Sequence, residues 1–228
     1  MDKQLVFLVV LLITLVVFGY TTRRYIGYVR NTRKGFPVDQ LGRRFGVMME
    51  VAIGQTKIFR RPVMGLLHAL VFWGFLVILI GSIEMVIDGL AGTERVLSVL
   101  GVVYNVIIAS GDIFALIIAV AIVVFLFRRL FLHVKRFSGI EMKHISHLDA
   151  NMALTMILLL MVSLIGMNTF YILSAIYEGH EVVGIYPVST MLAGFSKAGE
   201  HIHFWHEFNW WAHIGLIFVF ANYLPYSK

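Results

Sequence analysis

Five long apolar stretches leave this chain few ways to fold. Residues 4–20, 62–86, 105–130, 151–176 and 204–224 run with few charges, and about 20 such residues make a helix that crosses roughly 30 Å of hydrocarbon. Hydrocarbon offers no hydrogen bonds, so each stretch has to satisfy its backbone internally, as a helix. The expected fold is all-α: an integral membrane five-helix bundle in one domain, residues 1–228, with little chain left for a soluble domain. Composition agrees, because 59% of the residues are hydrophobic and 14% charged, whereas soluble domains hold about 45–50% apolar residues.

The formal charge of +6 would suit nucleic acid, but the placement of the basic residues points to a membrane instead. The connector between the first and second stretches carries, with its flanks, ten Lys and Arg, and that between the third and fourth carries five; the loops on the other side hold only Arg95 and Lys197. Lys and Arg accumulate in cytoplasmic loops, which predicts an N-terminus outside and Lys228 inside a cell's inner (cytoplasmic) membrane. The first stretch has its positive charge behind it, the reverse of a secretory signal, and reads as an uncleaved first helix. In the first connector Phe45, Val47, Met48, Met49, Val51 and Ile53 are interrupted by few charges, and an amphipathic helix on the anionic inner leaflet is expected there. The chain has no cysteine, which excludes disulfides, thiolate nucleophiles and Cys-ligated iron–sulfur clusters within these residues.

Chemistry-bearing side chains concentrate in the last stretch, where His201, His203, His206 and His213 account for four of the nine histidines. Ligand-capable groups at membrane depth are costly and point to function. A b-type haem in a helix bundle takes neutral imidazoles from facing helices, and His68 and His213 are the candidates, against the plainer reading of core histidines bonded to a neighbour. At about 1.5 Å per residue, His68 lies roughly 9 Å in from Pro62 and His213 roughly 15–18 Å from the inner end at Tyr223 to Pro225. A direct pair would need strong tilt. His206 and His213, seven residues apart, share a helix face, and His206, Glu207 and the deeper Trp211 are candidates for a quinone and proton pocket. The His-x-His-x-x-His spacing, flanked by Glu200 and Glu207, is also compatible with zinc or with surface histidines that bind nothing. Asp112 falls near the outer boundary, where capping or interfacial solvation outweighs a proton relay. Met152, Met156 and Met161 form a packing face, Met161 being a less favoured thioether ligand. His133, His144, His147 and His180 lie outside the apolar stretches and receive no role.

Two stretches are more specific. Gln55-x-Lys57-x-x-Arg60-Arg61-Pro62 leads to Gly65-x-x-His68 and Phe72-Trp73-Gly74-Phe75, and Trp210-Trp211-x-His213 is followed by Tyr223-Leu224-Pro225-Tyr226-Ser227-Lys228. This pattern resembles the membrane cytochrome b family of the respiratory nitrate reductase gamma subunit, and most of all the N-terminal membrane domain of proteins that fuse such a cytochrome to a heterodisulfide-reductase-like iron–sulfur domain. The resemblance implies five helices, N-out and C-in, one or two haems b, menaquinone or another quinone as substrate, and an iron–sulfur domain or subunit on the cytoplasmic side. It also implies that His68 ligates the inner haem and His213 the outer one. The family's other ligand on the last helix comes six residues past the proline, beyond Lys228, so the chain is expected to be a piece of a longer protein. The nitrate reductase pattern carries another histidine ten residues after the first, where Ile78 stands here; the outer haem is then absent, five-coordinate or differently ligated.

The expected function is a haem b-containing membrane electron-transfer subunit coupling a quinone pool to a cytoplasmic iron–sulfur or flavin oxidoreductase. The alternative is a haem-free membrane anchor or assembly subunit of a redox complex, with structural or zinc-binding histidines. A small proton-coupled transporter is disfavoured, because no inverted repeat or Gly/Pro-broken helix pair appears.

Overall fold

The computed structural model describes residues 3–32, 35, 39–132, 144–196, 199 and 201–227, and the side chains of 144–146 are not among them. His133, the side chain of His144, Glu200, and the topology charges Arg33, Lys34, Lys135, Arg136, Lys143, Lys197 and Lys228 therefore lie outside the described residues.

The described chain is all-helical. Helix α1 (Lys3–Asn31) is followed by the short α2 (Leu41–Met48), a wide turn at Met49–Ile53 and a 3-10 turn at Ile58–Arg60. The long helices α3 (Pro62–Ala91), α4 (Val102–Phe131) and α5 (His144–Glu178) come next, then α6 (Pro187–Phe195), α7 (Ile202–Tyr223) and a closing 3-10 turn, Leu224–Tyr226. Boundaries follow local chemistry. Pro62 and Pro187 each open a helix, where their missing N–H costs nothing. Gly92 closes α3 in the left-handed region at φ 68°, a conformation open to glycine without a Cβ clash.

Among the described residues, four helices are long and apolar enough to cross a membrane: α1, α3, α4 and the portion His147–Glu178 of α5. The chain thus has the character of a multi-pass membrane protein. Helix α7, at 22 residues, has spanning length too, but His203, His206, Glu207 and Asn209 in its first half keep it from qualifying by composition. Helices also outrun the apolar stretches. α1 continues to Asn31 through Arg23, Arg24 and Arg30, because arginine is a good helix former and its apolar stem covers the helix surface.

Five long helices form a closed ring in which α1 packs on α3, α3 on α4, α4 on α5, α5 on α7, and α7 back on α1. α6 lies across α4 and α5 at one end. The α4–α5 seam is filled by Ala115, Ile118, Ile122, Leu160 and Met161. A second cluster joins α1, α3 and α7 through Phe7, Met85, Ile214 and Phe218. Gly74 lets α3 approach α4 closely, since a Cβ there would sit 2.7 Å from the Phe114 ring; small residues serve such close crossings inside membranes. The outward faces are apolar, with Leu12, Ile13 and Val16 of α1 exposed, as contact with lipid requires.

The two ends of the ring differ. At one end Lys3 pairs with Glu207 at 2.7 Å. At the other, basic end, Tyr226 meets Thr21 at 2.9 Å, Tyr25 donates to the carbonyl of Pro225, and Ser227 donates to Asp149 at 3.0 Å, so the last turn is tied to α1 and α5. α2 buries none of its residues; Arg43 and Arg44 alternate there with Phe45 and Met48, the amphipathic character expected of the first connector. Trp73 donates to the carbonyl of Ile53 at 2.7 Å and anchors that connector to α3.

Candidate functional site

The ring encloses a cavity of about 740 Å³ at the end away from the basic connectors, and all five long helices contribute to its wall. That volume lies in the range of about 300–1,000 Å³ usual for small-molecule and cofactor sites. Phe7 comes from α1, Ile78 and Gly81 from α3, Gly111 from α4, Met167 from α5, and His213 from α7.

His213 is 1% exposed. Its Nδ1 lies 3.0 Å from the carbonyl of Leu160 and 3.0 Å from the hydroxyl of Ser163, and that hydroxyl donates to the same carbonyl. A carbonyl can only accept, so Nδ1 carries the proton and shares it between the two oxygens. The neutral ring then keeps its lone pair on Nε2. A backbone carbonyl holding one ring nitrogen while the other is free to ligate is the usual arrangement behind a metal-bound histidine.

Two glycines of the cavity wall have open space beside them. A Cβ added at Gly81 or at Gly111 would meet no atom within 4 Å, although both line the cavity. Ile78 lines the same cavity and cannot ligate a metal. His203 and His206 also line it, but His206 stands on the same helix as His213, about two turns and 10 Å away, too far to share an iron. Among the described residues, His213 would hold a haem at this wall, and neither His203 nor His206, on the same helix, is placed to share its iron.

His68 belongs elsewhere. It is exposed on α3 near the basic end and is not part of the cavity; the ten residues to Ile78 correspond to about 15 Å of helix. His206 is half-buried with its ring 6.2 Å from that of Tyr171, and Glu207 is held by Lys3. Trp210 and Trp211 both pack against the cluster of Phe7, Met85, Ile214 and Phe218, and of the two it is Trp210 that also lines the cavity. His201, His203 and His206 do not converge: among the described residues no three His, Asp or Glu side chains are placed to hold a metal ion. Met161 is a packing residue of the α4–α5 seam.

Glu84, Asp88 and Arg95 add polar chemistry to the cavity that no sequence pattern singles out. Glu84, 6% exposed, accepts the N–H of Leu97 at 3.0 Å and the hydroxyl of Tyr104 at 3.4 Å. Asp88 accepts the N–H groups of Arg95 at 2.7 Å and of Val96 at 3.1 Å, so two acids of α3 cap the following 3-10 turn. The Arg95 guanidinium lies 3.6 Å from the centre of the Tyr171 ring, with Nη1 donating to Tyr186 and to Tyr104 at 3.5 Å. Burial works against the Arg95 charge, and the phenol oxygens of Tyr186, Tyr171 and Tyr104 more than offset it, holding the guanidinium above its ordinary value. Burial pushes the Tyr186 phenol up, against the pull of Arg95. A signal existed for Glu84, which is a carboxylate inside the second apolar stretch, and such groups point to function; Arg95 looked only like a sparse outer-loop charge.

Known proteins offer a partial context. No family model matches the chain, and no solved structure matches it. Among curated proteins it is similar to the probable iron–sulfur-binding oxidoreductase FadF of Bacillus subtilis (strain 168), with 27% identity over 237 aligned residues. The alignment takes in 99% of this chain and 31% of that protein, so the chain spans about a third of its relative's length.

Proposed function

We propose that this chain is a haem b-binding membrane electron-transfer domain that exchanges electrons between a quinone at the cavity end and an iron–sulfur or flavin partner at the basic end. The reading takes five spans, N-terminus outside and C-terminus cytoplasmic, in an inner (cytoplasmic) membrane, and the accumulation of Lys and Arg at one end supports that orientation. The observation that carries this reading is His213: a buried imidazole whose Nδ1–H is fixed by the Leu160 carbonyl, on the wall of a cavity of about 740 Å³. The haem, when bound, supplies one-electron chemistry. The protein's own part is to present Nε2 of His213, hold its tautomer through Leu160 and Ser163, and leave space beside Gly81 and Gly111. A relative described as an iron–sulfur-binding oxidoreductase supports the choice of partner.

His68, exposed near the basic end, is proposed as a ligand of a second haem. The rival reading, a haem-free anchor, draws its support from Ile78, which stands where the nitrate reductase pattern carries its second histidine. A reduced-minus-oxidised visible spectrum of the protein purified in mild detergent decides between them. The cytochrome reading expects a b-type spectrum, and the absence of b-type absorption refutes it.

A further inference from the structure

Arg95 is a cation that the electron-transfer reading does not use. It stands on the cavity wall with a left-handed backbone at φ 58°, conformational strain that a non-glycine residue bears only where its surroundings enforce it. Asp88 enforces it here by taking the Arg95 N–H at 2.7 Å. No carboxylate lies within ion-pair distance of the guanidinium among the described residues, and of its five N–H donors only those on Nη1 meet a protein acceptor. A half-buried guanidinium with idle donors facing a cavity is poised for an oxygen acceptor.

The charge around it selects the acceptor. Seven carboxylates line the cavity against two cations, Lys3 and Arg95, and Lys3 is already paired with Glu207. A carboxylate or phosphate ligand would meet that negative field, so the acceptor has to be neutral. Its body has to be flat and apolar, because Tyr171, Tyr186 and Trp210 border the same space. The subsite is separate from the His213 wall, since Arg95 stacks on Tyr171, which neighbours His206, about two helical turns from His213.

We propose that Arg95 is the positioning residue for a quinone ring, donating from its free N–H groups to one ring oxygen in the space that Tyr171, Tyr186 and Trp210 border. This rests on the electron-transfer reading for its ligand class. The test is a titration of the purified, full-length chain with menadione, a soluble naphthoquinone, read as quenching of tryptophan fluorescence. Wild type should show saturable quenching, and Arg95→Gln should weaken it about tenfold or more, as expected when a charged donor to a buried acceptor is lost; Arg95→Lys should fall in between. A comparison on the unaltered protein needs no variant to fold: 2-methylnaphthalene, which has the same rings without oxygens, should bind at least about tenfold more weakly than menadione. Equal affinity of wild type and Arg95→Gln, equal affinity for the two ligands, or no saturable quenching by wild type would overturn the proposal. Visible spectra of the same samples separate the two readings. A b-type spectrum with Arg95-independent menadione binding overturns this assignment alone, whereas Arg95-dependent binding without a b-type spectrum upholds it and removes the cytochrome.

Discussion

Asp112 on α4 caps α6 from a neighbouring helix: its carboxylate receives the backbone N–H of Ser189 at 3.0 Å and the Ser189 hydroxyl at 2.5 Å. It also takes the N–H of Val188 at 2.8 Å, and Asn168 of α5 approaches at 3.4 Å. The first amides of any helix lack partners and carry a partial positive charge. Tyr186 precedes α6 without a side-chain cap of its own, so a buried carboxylate on another helix supplies what the local sequence lacks.

Replacing Asp112 with Ala should therefore loosen α6 and the cavity edge it covers. Two amides and a hydroxyl lose their acceptor, at a cost of about 2 kcal/mol or more. For a chain of this size the midpoint of thermal unfolding in detergent should fall by about 4–8 °C, with Asp112→Asn losing less. An unchanged midpoint in the Ala variant would show that the cap carries no stability.

His213→Ala should abolish binding of the cavity haem, measured as haem per protein after purification. Ser163→Ala should retain it, since the Leu160 carbonyl still holds Nδ1. His68→Ala should leave the cavity haem in place and lower haem per protein by removing the second group proposed near the basic end. Full haem content in His213→Ala would show that the cavity ligand is a different residue.

Ile78 provides a gain-of-ligand test. Because it and His213 line one cavity, Ile78→His should offer a second axial nitrogen from α3. The expected result is a change from a high-spin, five-coordinate to a low-spin, six-coordinate visible spectrum, with haem retained. No change in spin state would mean that the two walls do not face across the same iron.

Alkaline pH should weaken the Arg95 box first. Burial raises the Tyr186 phenol above its ordinary value, so the folded state holds a proton that the unfolded chain releases at about pH 10. Stability from this group is complete below about pH 10 and declines as pH rises beyond it. Melting curves from pH 8 upward should show that decline in wild type and a shallower one in Tyr186→Phe, which is less stable at neutral pH but has no phenol to titrate. Parallel declines in the two proteins would exclude Tyr186 as the group responsible.

Part of the site could be read without coordinates. The depth estimates from Pro62 and from Tyr223 separate His68 from His213, and the folded chain keeps them apart, because rise per residue is a property of any helix. Helix phase was harder. Trp210 and Trp211 are neighbours on one helix about 100° apart, and whether the first or the second faces the cavity depends on where α1, α3 and α5 dock. The same holds for Glu84 and Arg95, whose partners Leu97, Tyr104, Tyr171 and Tyr186 come from three different parts of the chain.

The amino-acid sequence by itself determined that this chain is helical, apolar on its outside and suited to a membrane, because hydrocarbon forces every spanning segment to satisfy its own backbone whatever its neighbours do. It also determined which end is basic. Only the tertiary structure decided that α1, α3, α4, α5 and α7 close into a ring around a cavity, that His213 looks into it, and that His68 does not. Those outcomes depend on which small and large side chains interlock between helices far apart in the chain, as Gly74 does with Phe114, and no periodicity within one helix encodes them.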